Sequence, residues 1–384
     1  MSAPATLARV TPLLAQFGIT RVARHTGLDH IGMPVWCAYA PNAPSAVVAQ
    51  GKGLSDVDAR VSAVMEALER AVASRPAVST FRATVQELRD NGHPLTTLEC
   101  LIGLHQADIG PHEPVEWVKG RELISGGMIH VPFEAVILNR TRQTRFWMSS
   151  DGLASGNTID EAILHGMLER IERDAYVLWQ ISDESVRHSR CVDPALFRDD
   201  VLDRLLERIK SSGLVLKLFD ITSDVAIPCF TALLGPRAAL SGAAVRFAEV
   251  TGGSGAHPSA VRAAIRAITE AAQSRLTFIS GARDDIAPTA FQALLPAELR
   301  VSFTSRPTVP PPPSVAKGLS LQQYLDHTTD KLRAAGIAMV AAVQLSHPDL
   351  PFAVVKVLIP DLENPDGKRA RRFGNRALSS AFLF

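Results

Sequence analysis

The sequence predicts an α/β protein of mixed α+β type, with sheets flanked by long helices. Short apolar stretches with strand-like composition alternate with helical patterns, and three of those helical patterns are long. The chain has 384 residues, 46% of them hydrophobic and 21% charged, so it can bury a sizeable core. This composition excludes a disordered or collagen-like protein, and one large body or two subdomains would both fit the length.

The charge balance and the terminal sequence narrow the partners and the compartment. Lys and Arg total 40 against 39 for Asp and Glu, so no overall positive field would attract nucleic acid or anionic lipid. Residues 1–17 lack a signal-peptide pattern, and no apolar run is long enough to span a bilayer. The four cysteines are widely spaced without a C-x-x-C pair. We expect a cytoplasmic protein with reduced thiols and no nucleic-acid or membrane partner.

The N-terminal part of the chain predicts two strands and a helix after a leader segment at 1–25. The strand-like segments are 33–40 and 46–50, and Gly51-Lys52-Gly53 reads as a turn after them. A helix from about Ser55 to Ser74 follows, because Ser55 can cap its free amides and acidic residues occupy its first turn.

The middle of the chain predicts a hairpin, further strands and two more long helices. Gly126 and Gly127 interrupt the apolar stretches of 101–138, which is typical of an antiparallel hairpin. The remaining predicted elements are a helix at 158–181, strands at 214–219, 228–234 and 245–250, a flexible turn at 252–257, and a helix from Pro258 to about Ser280.

The clearest predicted boundary is the run Pro-Thr-Val-Pro-Pro-Pro-Pro at 307–313, which can continue neither a helix nor a central strand. Beyond it the pattern predicts a helix at 321–335 and strands at 337–345 and 351–359. The expected organisation is a leader at 1–25, a catalytic body at 26–306, a Pro-rich spacer at 307–320, and a C-terminal α/β segment at 321–384 that completes the domain.

A polar stripe marks the first long helix. Ser62, Glu66 and Glu69 fall within one narrow face at about 100° per residue, and the opposite face is apolar. Two interpretations are open: grouping of the acids for function, or a solvated outer face with Arg70 nearby.

The second long helix carries a longer stripe. Asn157, Glu161, His165, Glu169 and Glu172 recur at spacings of three and four residues, which keeps them on one side. A capping box begun by the residue before this helix would explain Glu161, and an ion pair with the arginine four residues later would explain Glu169. These alternatives explain individual residues but not the whole stripe.

Carboxylates clustered in this way suggest ligands for a hard cation. Mg²⁺ prefers oxygen ligands and usually bridges one or two carboxylates to substrate phosphates. The third helix adds Arg266, Glu270 and Gln273 after the glycine-rich turn, whose backbone could approach a phosphate. Neither a Walker nor a Rossmann fingerprint is present. A metal-free structural module is the alternative, and it predicts that Glu69 and Glu172 are exposed and separated.

Cysteine chemistry is a poorer reading of the sequence. Cys37 or Cys191 could act as a nucleophile beside His165 or His257, but no local signature supports this, so structural thiols are favoured. His165 has no second His or Cys at ligand spacing and is expected to be a neighbour of the acidic site, not a metal ligand.

Read with their flanking residues, the three stripes resemble the motifs of the YcaO family. The first, S-x-x-x-E-x-x-E-R, is complete, with a G-K-G upstream of it, and the similarity extends over most of the chain, from about Thr26 to Lys356. The matching positions are Ser62, Glu66, Glu69 and Arg70; Asn157, Glu161, Glu169, Glu172 and Arg173; and Glu270 and Gln273.

The resemblance implies a YcaO-type fold that binds ATP and Mg²⁺ in a carboxylate cradle. The implied metal ligands are Glu66, Glu69, Glu169, Glu172 and Glu270. The implied nucleotide-binding residues are Lys52, Ser62, Glu66, Asn157, Glu161, Arg173, Glu270 and Gln273, and the implied catalytic residues are Arg70, Arg173 and His165. The implied reaction is phosphorylation of a peptide amide oxygen, which a thiol, hydroxyl or sulfide then displaces as phosphate.

Two departures from the family pattern narrow the class. Ala263 stands where some members have Ser, and the end of the chain, 377–384, lacks the proline-rich tail associated with azoline-forming members. The segment 276–284 is similar to members that work beside a TfuA-type protein. The resemblance therefore favours thioamide formation with an external sulfur donor, a TfuA-like or sulfur-delivery partner that presents the peptide, and a homodimer. Azoline formation, or a non-catalytic role in methylthiolation of a small-subunit ribosomal protein, are the alternatives.

Overall fold

The computed structural model of the chain describes residues 1–241, 243–281, 283, 286–315, 318–364 and 374–382. The predicted spacer, the predicted C-terminal segment and the segment 276–284 each include positions outside these ranges. Within them the helices are α1 (Ala3–Val10), α2 (Asp56–Ser74), α3 (Val85–Asp90), α4 (Ile159–Ile181), α5 (Glu184–Ser189), α6 (Asp200–Ser211), α7 (Ala260–Ser280), α8 (Ala297–Thr304), α9 (Leu321–Ala334) and α10 (Asn375–Phe382).

The strands form three sheets, and every pairing between them is antiparallel. The strands are β1 (Arg21–Arg24), β2 (Val35–Tyr39), β3 (Val48–Lys52), β4 (Thr80–Ala83), β5 (Val115–Glu122), β6 (Met128–Pro132), β7 (Leu153–Gly156), β8 (Cys191–Val192), β9 (Leu214–Asp220), β10 (Cys229–Pro236), β11 (Thr251–Ala256), β12 (Ala341–Gln344) and β13 (Ala353–Leu358). The sheet orders are β1-β2-β3, β11-β10-β9-β8, and β4-β5-β12-β13-β7 with β6 on β5. The predicted α+β class is confirmed.

The three long helices begin at polar residues before their first turns. The side chain of Ser55 accepts a hydrogen bond from the Asp58 amide before α2, as the sequence predicts, and Thr158 does the same for Glu161 before α4. At α7 the first amide, that of Ala260, donates instead to the hydroxyl of Ser314, 2.8 Å away. The predicted bounds of all three helices are confirmed to within about two residues.

Each long helix packs against the strand that precedes it, and the two together form a strand–helix unit. Each helix also contacts the strand of another unit. Helix α2 lies on β3 and contacts β7, α4 lies on β7 and contacts β11, and α7 lies on β11 and contacts β3. The three strand–helix pairs therefore form a closed cycle, which brings one face of every long helix to a common centre. Because α4 touches two sheets, it is buried on nearly all sides, and Leu168 on its polar side is only 2% exposed.

Glycines make the close approach of strand and helix possible. A Cβ atom on Gly51 would lie 2.0 Å from the amide nitrogen of Ala63 in α2, and one on Gly156 would lie 2.7 Å from that of Ala162 in α4. At Gly253 it would lie 2.2 Å from the amide nitrogen of Ala271 in α7. No side chain fits at such distances, so the glycines bring these helices directly onto the strand backbone.

This packing corrects three predictions. Gly51 and Lys52 belong to β3, which is shifted by two residues from the prediction, and do not form a turn. The predicted flexible turn at 252–257 is largely strand β11 (Thr251–Ala256), whose Gly253 and Gly255 lie directly against the backbone of α7. The predicted strand at 245–250 contains a 3₁₀ turn at Phe247–Glu249, since the side chain of Glu249 accepts a hydrogen bond from the Arg246 amide.

The C-terminal segment is built into the same body. Strands β12 and β13 lie between β5 and β7 in the six-stranded sheet, and the predicted hairpin of β5 and β6 is present. The Pro-rich run is tied down as well, because the Thr308 amide donates to the Cys191 carbonyl and the Val315 amide donates to the Pro258 carbonyl. No helix of the described residues is long and apolar enough to cross a membrane.

Candidate nucleotide and magnesium site

The polar faces of α2, α4 and α7 border a cavity of about 970 Å³. Every residue that the family resemblance assigns to the site lines this cavity. They are Lys52, Ser62, Glu66, Glu69, Arg70, Asn157, Glu161, His165, Glu169, Glu172, Arg173, Glu270 and Gln273. A metal-free module with exposed and separated acids does not fit this arrangement, since Glu172 is only 4% exposed and the acids of the three helices face one space.

Three glutamates of the cavity wall repel one another. Burial raises the pKa of Glu69 well above its usual range, and the charges of Glu66 and Glu169 add to the effect. Burial likewise raises the pKa of Glu169 to about 7, with contributions from Asp151 and Glu172. The pKa of Glu172 is raised by burial and then by Glu270. Burial and, after it, the neighbouring acids disfavour the charged forms of these three carboxylates, and a bound cation would relieve that cost.

Hydrogen bonds from neighbouring elements orient these three carboxylates. Glu69 accepts from the Ser155 hydroxyl at 3.0 Å, and Glu169 accepts from the Gly152 amide at 3.2 Å. Glu172 accepts from the Ala256 amide at the end of β11, also at 3.2 Å. Each acid is thus held by a residue outside its own helix, and its orientation depends on the cyclic packing of the three units.

Basic side chains stand between the acids. The Nζ atom of Lys52 lies 2.6 Å from Oε2 of Glu270, and Arg70 pairs with Glu66 at 2.5 Å. Burial alone would raise the pKa of Glu270, but Lys52 and Arg173 lower it below its ordinary value. These cations lie on the wall of the same cavity, where they could turn toward phosphate oxygens.

Arg173 is placed among the acids of α4. Its guanidinium lies 3.6 Å from Glu169 and 3.7 Å from Asp151, and its buried Nε has no hydrogen-bond partner among the residues that the structure describes. A buried donor without a partner costs about 1–3 kcal/mol, so an anion entering the cavity would find an unsatisfied group here.

The carboxylates are spread around the cavity and do not converge on one point. Among the described residues no three His, Cys, Asp or Glu side chains are gathered as a complete set of metal ligands. The donors nevertheless fit Mg²⁺, because they are oxygen ligands only and Mg²⁺ typically takes one or two carboxylates together with substrate phosphates and water. Glu69, Glu169 and Glu172 would gain most from a cation, because burial raises the pKa of each and no cation of the described residues overcomes that effect.

Two further residues of the cavity wall, His165 and Gln273, hydrogen-bond backbone carbonyl groups. Nδ1 of His165 lies 3.2 Å from the Ser155 carbonyl oxygen, which identifies Nδ1 as the protonated nitrogen. Burial and then the charge of Arg266 lower the pKa of His165, so the ring is neutral at neutral pH. The amide of Gln273 donates to the Gln50 carbonyl at 3.5 Å, which ties α7 to β3.

Thr6, Asp151 and Lys356 are close to this site although the sequence gives none of them a role in it, and Arg266, which the sequence places beside Glu270, also borders it. Arg266 and Thr6 line the cavity. Lys356 on β13 donates to the Ser149 and Asp151 carbonyls at 2.6 and 2.8 Å, and burial lowers its pKa to about 8. A lone Lys within the apolar strand of 352–359 and an Arg four residues before Glu270 were the available signals. Nothing in the sequence pattern indicates a role for Thr6.

Comparison with known proteins agrees with this geometry. Residues 50–363 match the family described as YcaO cyclodehydratase, ATP- and Mg²⁺-binding. An uncharacterized protein in the tfuA 3′ region of Rhizobium leguminosarum bv. trifolii is 39% identical over 98% of this chain and 91% of its own length. An uncharacterized protein of Methanothermobacter thermautotrophicus is 34% identical over 91% of each chain.

Solved structures share the fold at lower identity. YcaO from Methanopyrus kandleri bound with AMPPCP and Mg²⁺ superposes with a TM-score of 0.74 at 21% identity, over 98% of this chain and 95% of that one. A heterocyclase in complex with substrate and cofactor gives a TM-score of 0.76 at 21% identity. That superposition covers 95% of this chain and 52% of the heterocyclase. Identities this low establish the fold alone.

The fold is that of an ATP- and Mg²⁺-binding class of protein, and acids on three helices border its cavity. The chain belongs to the YcaO family, whose ligands are ATP and Mg²⁺. The predicted fold and cofactors are thereby confirmed, whereas the role of each individual residue stays a prediction.

Proposed function

We propose that this protein uses ATP and Mg²⁺ to activate a peptide backbone amide, and that the product is a thioamide. The observation that carries the activation step is the cavity itself, where acids of α2, α4 and α7 lie among Lys52, Arg70 and Arg173. The thioamide step is supported by the relative in the tfuA 3′ region, which matches 98% of the chain.

The residues would divide between the metal and the nucleotide. Glu69, Glu169 and Glu172, with Glu66 and Glu270, would hold Mg²⁺, which neutralises phosphate charge when bound. Lys52, Arg70 and Arg173 would leave their carboxylate partners in part and contact phosphate oxygens. The remaining nucleotide contacts would come from Ser62, Asn157, Glu161 and Gln273.

The reaction conserves atoms without an oxidant or reductant. The amide oxygen attacks the terminal phosphorus of ATP, and ADP leaves. A hydrosulfide-level donor then adds to the amide carbon, a proton is lost, and phosphate departs with the former amide oxygen. Neutral His165 would take that proton at Nε2, because its Nδ1 proton is directed to Ser155.

The sulfur would come from outside the chain. None of the described residues that line the cavity is a cysteine, and Cys37, Cys191 and Cys229 are buried. A TfuA-like or other sulfur-delivery protein is the proposed partner, and it would also present the peptide. Free cysteines and ATP use fit a cytoplasmic location. The proposal includes a homodimer, which sedimentation of the purified protein would test.

Calorimetric titration with ATP, with and without Mg²⁺, tests the nucleotide step. Wild type should bind ATP only with Mg²⁺, and Glu172→Gln should lose that binding while keeping its fold. Equal binding by the two proteins would contradict the assignment of Glu172, and no binding by wild type alone or with its partner would contradict the nucleotide site.

The mass of the product tests the second step. Peptide, Mg-ATP, sulfide and the partner should yield a peptide that gains the mass difference between sulfur and oxygen. Loss of water would instead indicate an azoline, the second candidate, which the family description as a cyclodehydratase favours. ATP binding without any turnover of peptide would indicate an accessory role.

A further inference from the structure

Helix α1 lies outside the segment that matches the family, which begins at residue 50. It packs against α2, and Met1, Ala3 and Thr6 line the cavity. From the sequence, 1–25 is expected to be a leader segment without a role in the site. The N-terminal segment instead forms part of the cavity wall.

Thr6 is the residue through which α1 reaches the helix that carries most of the site. It is 4% exposed, and its hydroxyl oxygen lies 2.8 Å from Oδ1 of Asn157, which precedes α4. The same oxygen is 3.3 Å from the Ser2 carbonyl of its own helix, so the shorter contact is the one to Asn157. The contact spans 151 positions of sequence.

Asn157 in turn donates hydrogen bonds to Glu161 from its side chain and its backbone. Its Nδ2 lies 3.1 and 3.3 Å from the two carboxylate oxygens, and its backbone amide donates to Oε2 at 3.0 Å. The carboxylate of Glu161 determines the amide orientation, because the opposite flip would set Oδ1 of Asn157 against an acceptor. In this orientation the Thr6 hydroxyl donates to Oδ1 and holds the Asn157 amide in the position from which it donates to Glu161.

We propose that Thr6 is a positioning residue for the nucleotide site, which acts by fixing the Asn157 amide and, through it, the carboxylate of Glu161. The inference rests on the proposed nucleotide site, and it adds a part of the chain that the family match does not include. The hydroxyl would affect nucleotide affinity without touching the nucleotide.

Thr6→Val is the direct test, because it keeps the shape of the side chain and removes the donor. Loss of one buried hydrogen bond that orders the site should weaken Mg-ATP binding about tenfold in calorimetry. Thr6→Ser keeps the hydroxyl and should bind like wild type. Thr11→Val is the matched control, since the Thr11 hydroxyl donates to the Leu7 carbonyl within the same N-terminal segment. The proposal fails if Thr6→Val binds Mg-ATP like wild type or like Thr11→Val.

A double-mutant cycle separates positioning from general loosening of α1. In an Asn157→Ala background, Thr6→Val should have almost no further effect on Mg-ATP affinity, because its only route to the nucleotide is gone. Equal effects in both backgrounds would overturn the proposal.

Amide hydrogen exchange of the nucleotide-free protein distinguishes this idea from the proposed function. Thr6→Val should speed exchange in the segment 157–161, where the Asn157 amide donates to Glu161. If wild type bound no Mg-ATP, the proposed function would fail, and faster exchange in the variant would still support positioning by Thr6. Unchanged exchange would contradict it whatever the nucleotide result.

Discussion

The ammonium nitrogen of Lys52 lies 2.6 Å from Oε2 of Glu270, and this contact joins β3 to α7 across 218 positions of sequence. Both side chains are about a quarter exposed, on the wall of the nucleotide cavity. The pair thus fastens the first strand–helix unit to the third at the place where phosphate would bind.

Lys52→Met should reduce both affinity and stability. Glu270 would lose its closest cation, so its pKa would rise, and the free energy of unfolding should fall by about 1–2 kcal/mol. Mg-ATP binding should weaken at least as much. Urea unfolding and calorimetry measure the two effects. Adding Glu270→Gln should restore stability without restoring binding, and recovery of both would show that Lys52 has no part in nucleotide binding.

Glu169 should make the metal-free protein less stable as the pH rises. Its pKa in the folded protein, about 7, exceeds its usual 4.5, so its favourable contribution is complete below pH 4.5 and is lost as the pH passes 7. Glu169→Gln should therefore raise the melting temperature at pH 8 without metal, and should remove the stabilisation that Mg-ATP gives to wild type. Glu207→Gln, at an exposed position of α6, is the control and should change neither. A lower melting temperature for metal-free Glu169→Gln would show that repulsion does not govern this cluster.

Gly253→Ala and Gly252→Ala should differ sharply although the two glycines are adjacent. The new Cβ at 253 would lie 2.2 Å from the Ala271 amide nitrogen, whereas at 252 its nearest neighbour, the Ala232 carbonyl oxygen, would be 3.7 Å away. Gly253→Ala must push α7 from β11 and should cost about 3 kcal/mol or more in thermal or urea unfolding. Gly252→Ala should be close to neutral. Similar stabilities of the two variants would contradict the close packing of α7 on β11.

Arg376 should be essential for stability through a buried aspartate of α4. The guanidinium makes two bonds of 2.9 Å to Asp174, whose side chain is fully buried, and it also pairs with Asp224. Arg376→Met alone would leave the charge of Asp174 uncompensated and should cost about 3–5 kcal/mol of unfolding free energy. Combining it with Asp174→Asn should recover much of the loss. Urea denaturation of the single and double variants measures this, and a neutral Arg376→Met would contradict the role.

The sequence predicts the long helices well because their signals are local. Ser55 and Thr158 are capping residues, and the acids recur at helical spacing, so caps and stripes can be located without knowledge of the partners. Strand β11 was missed because its sequence, Thr-Gly-Gly-Ser-Gly-Ala, is typical of a turn, and its need for glycine arises only from a helix packed on it.

The candidate site also has features that the sequence predicts and features that it does not. Periodicity on α2, α4 and α7 is enough to propose that their acids share a cavity, and the structure places every one of those residues on its wall. The hydrogen-bond partners of the site residues could not be predicted. Thr6 contacts Asn157 and Lys52 contacts Glu270, and only the folded chain brings these residues together.

The closed cycle of strand–helix pairs has a thermodynamic consequence. Because each long helix rests on one unit and touches another, a ligand held between the helices would stabilise three interfaces in a single binding event. Partial opening of any one strand–helix pair would require release of the ligand. Occupancy of the cavity should therefore make the three pairs open and unfold together.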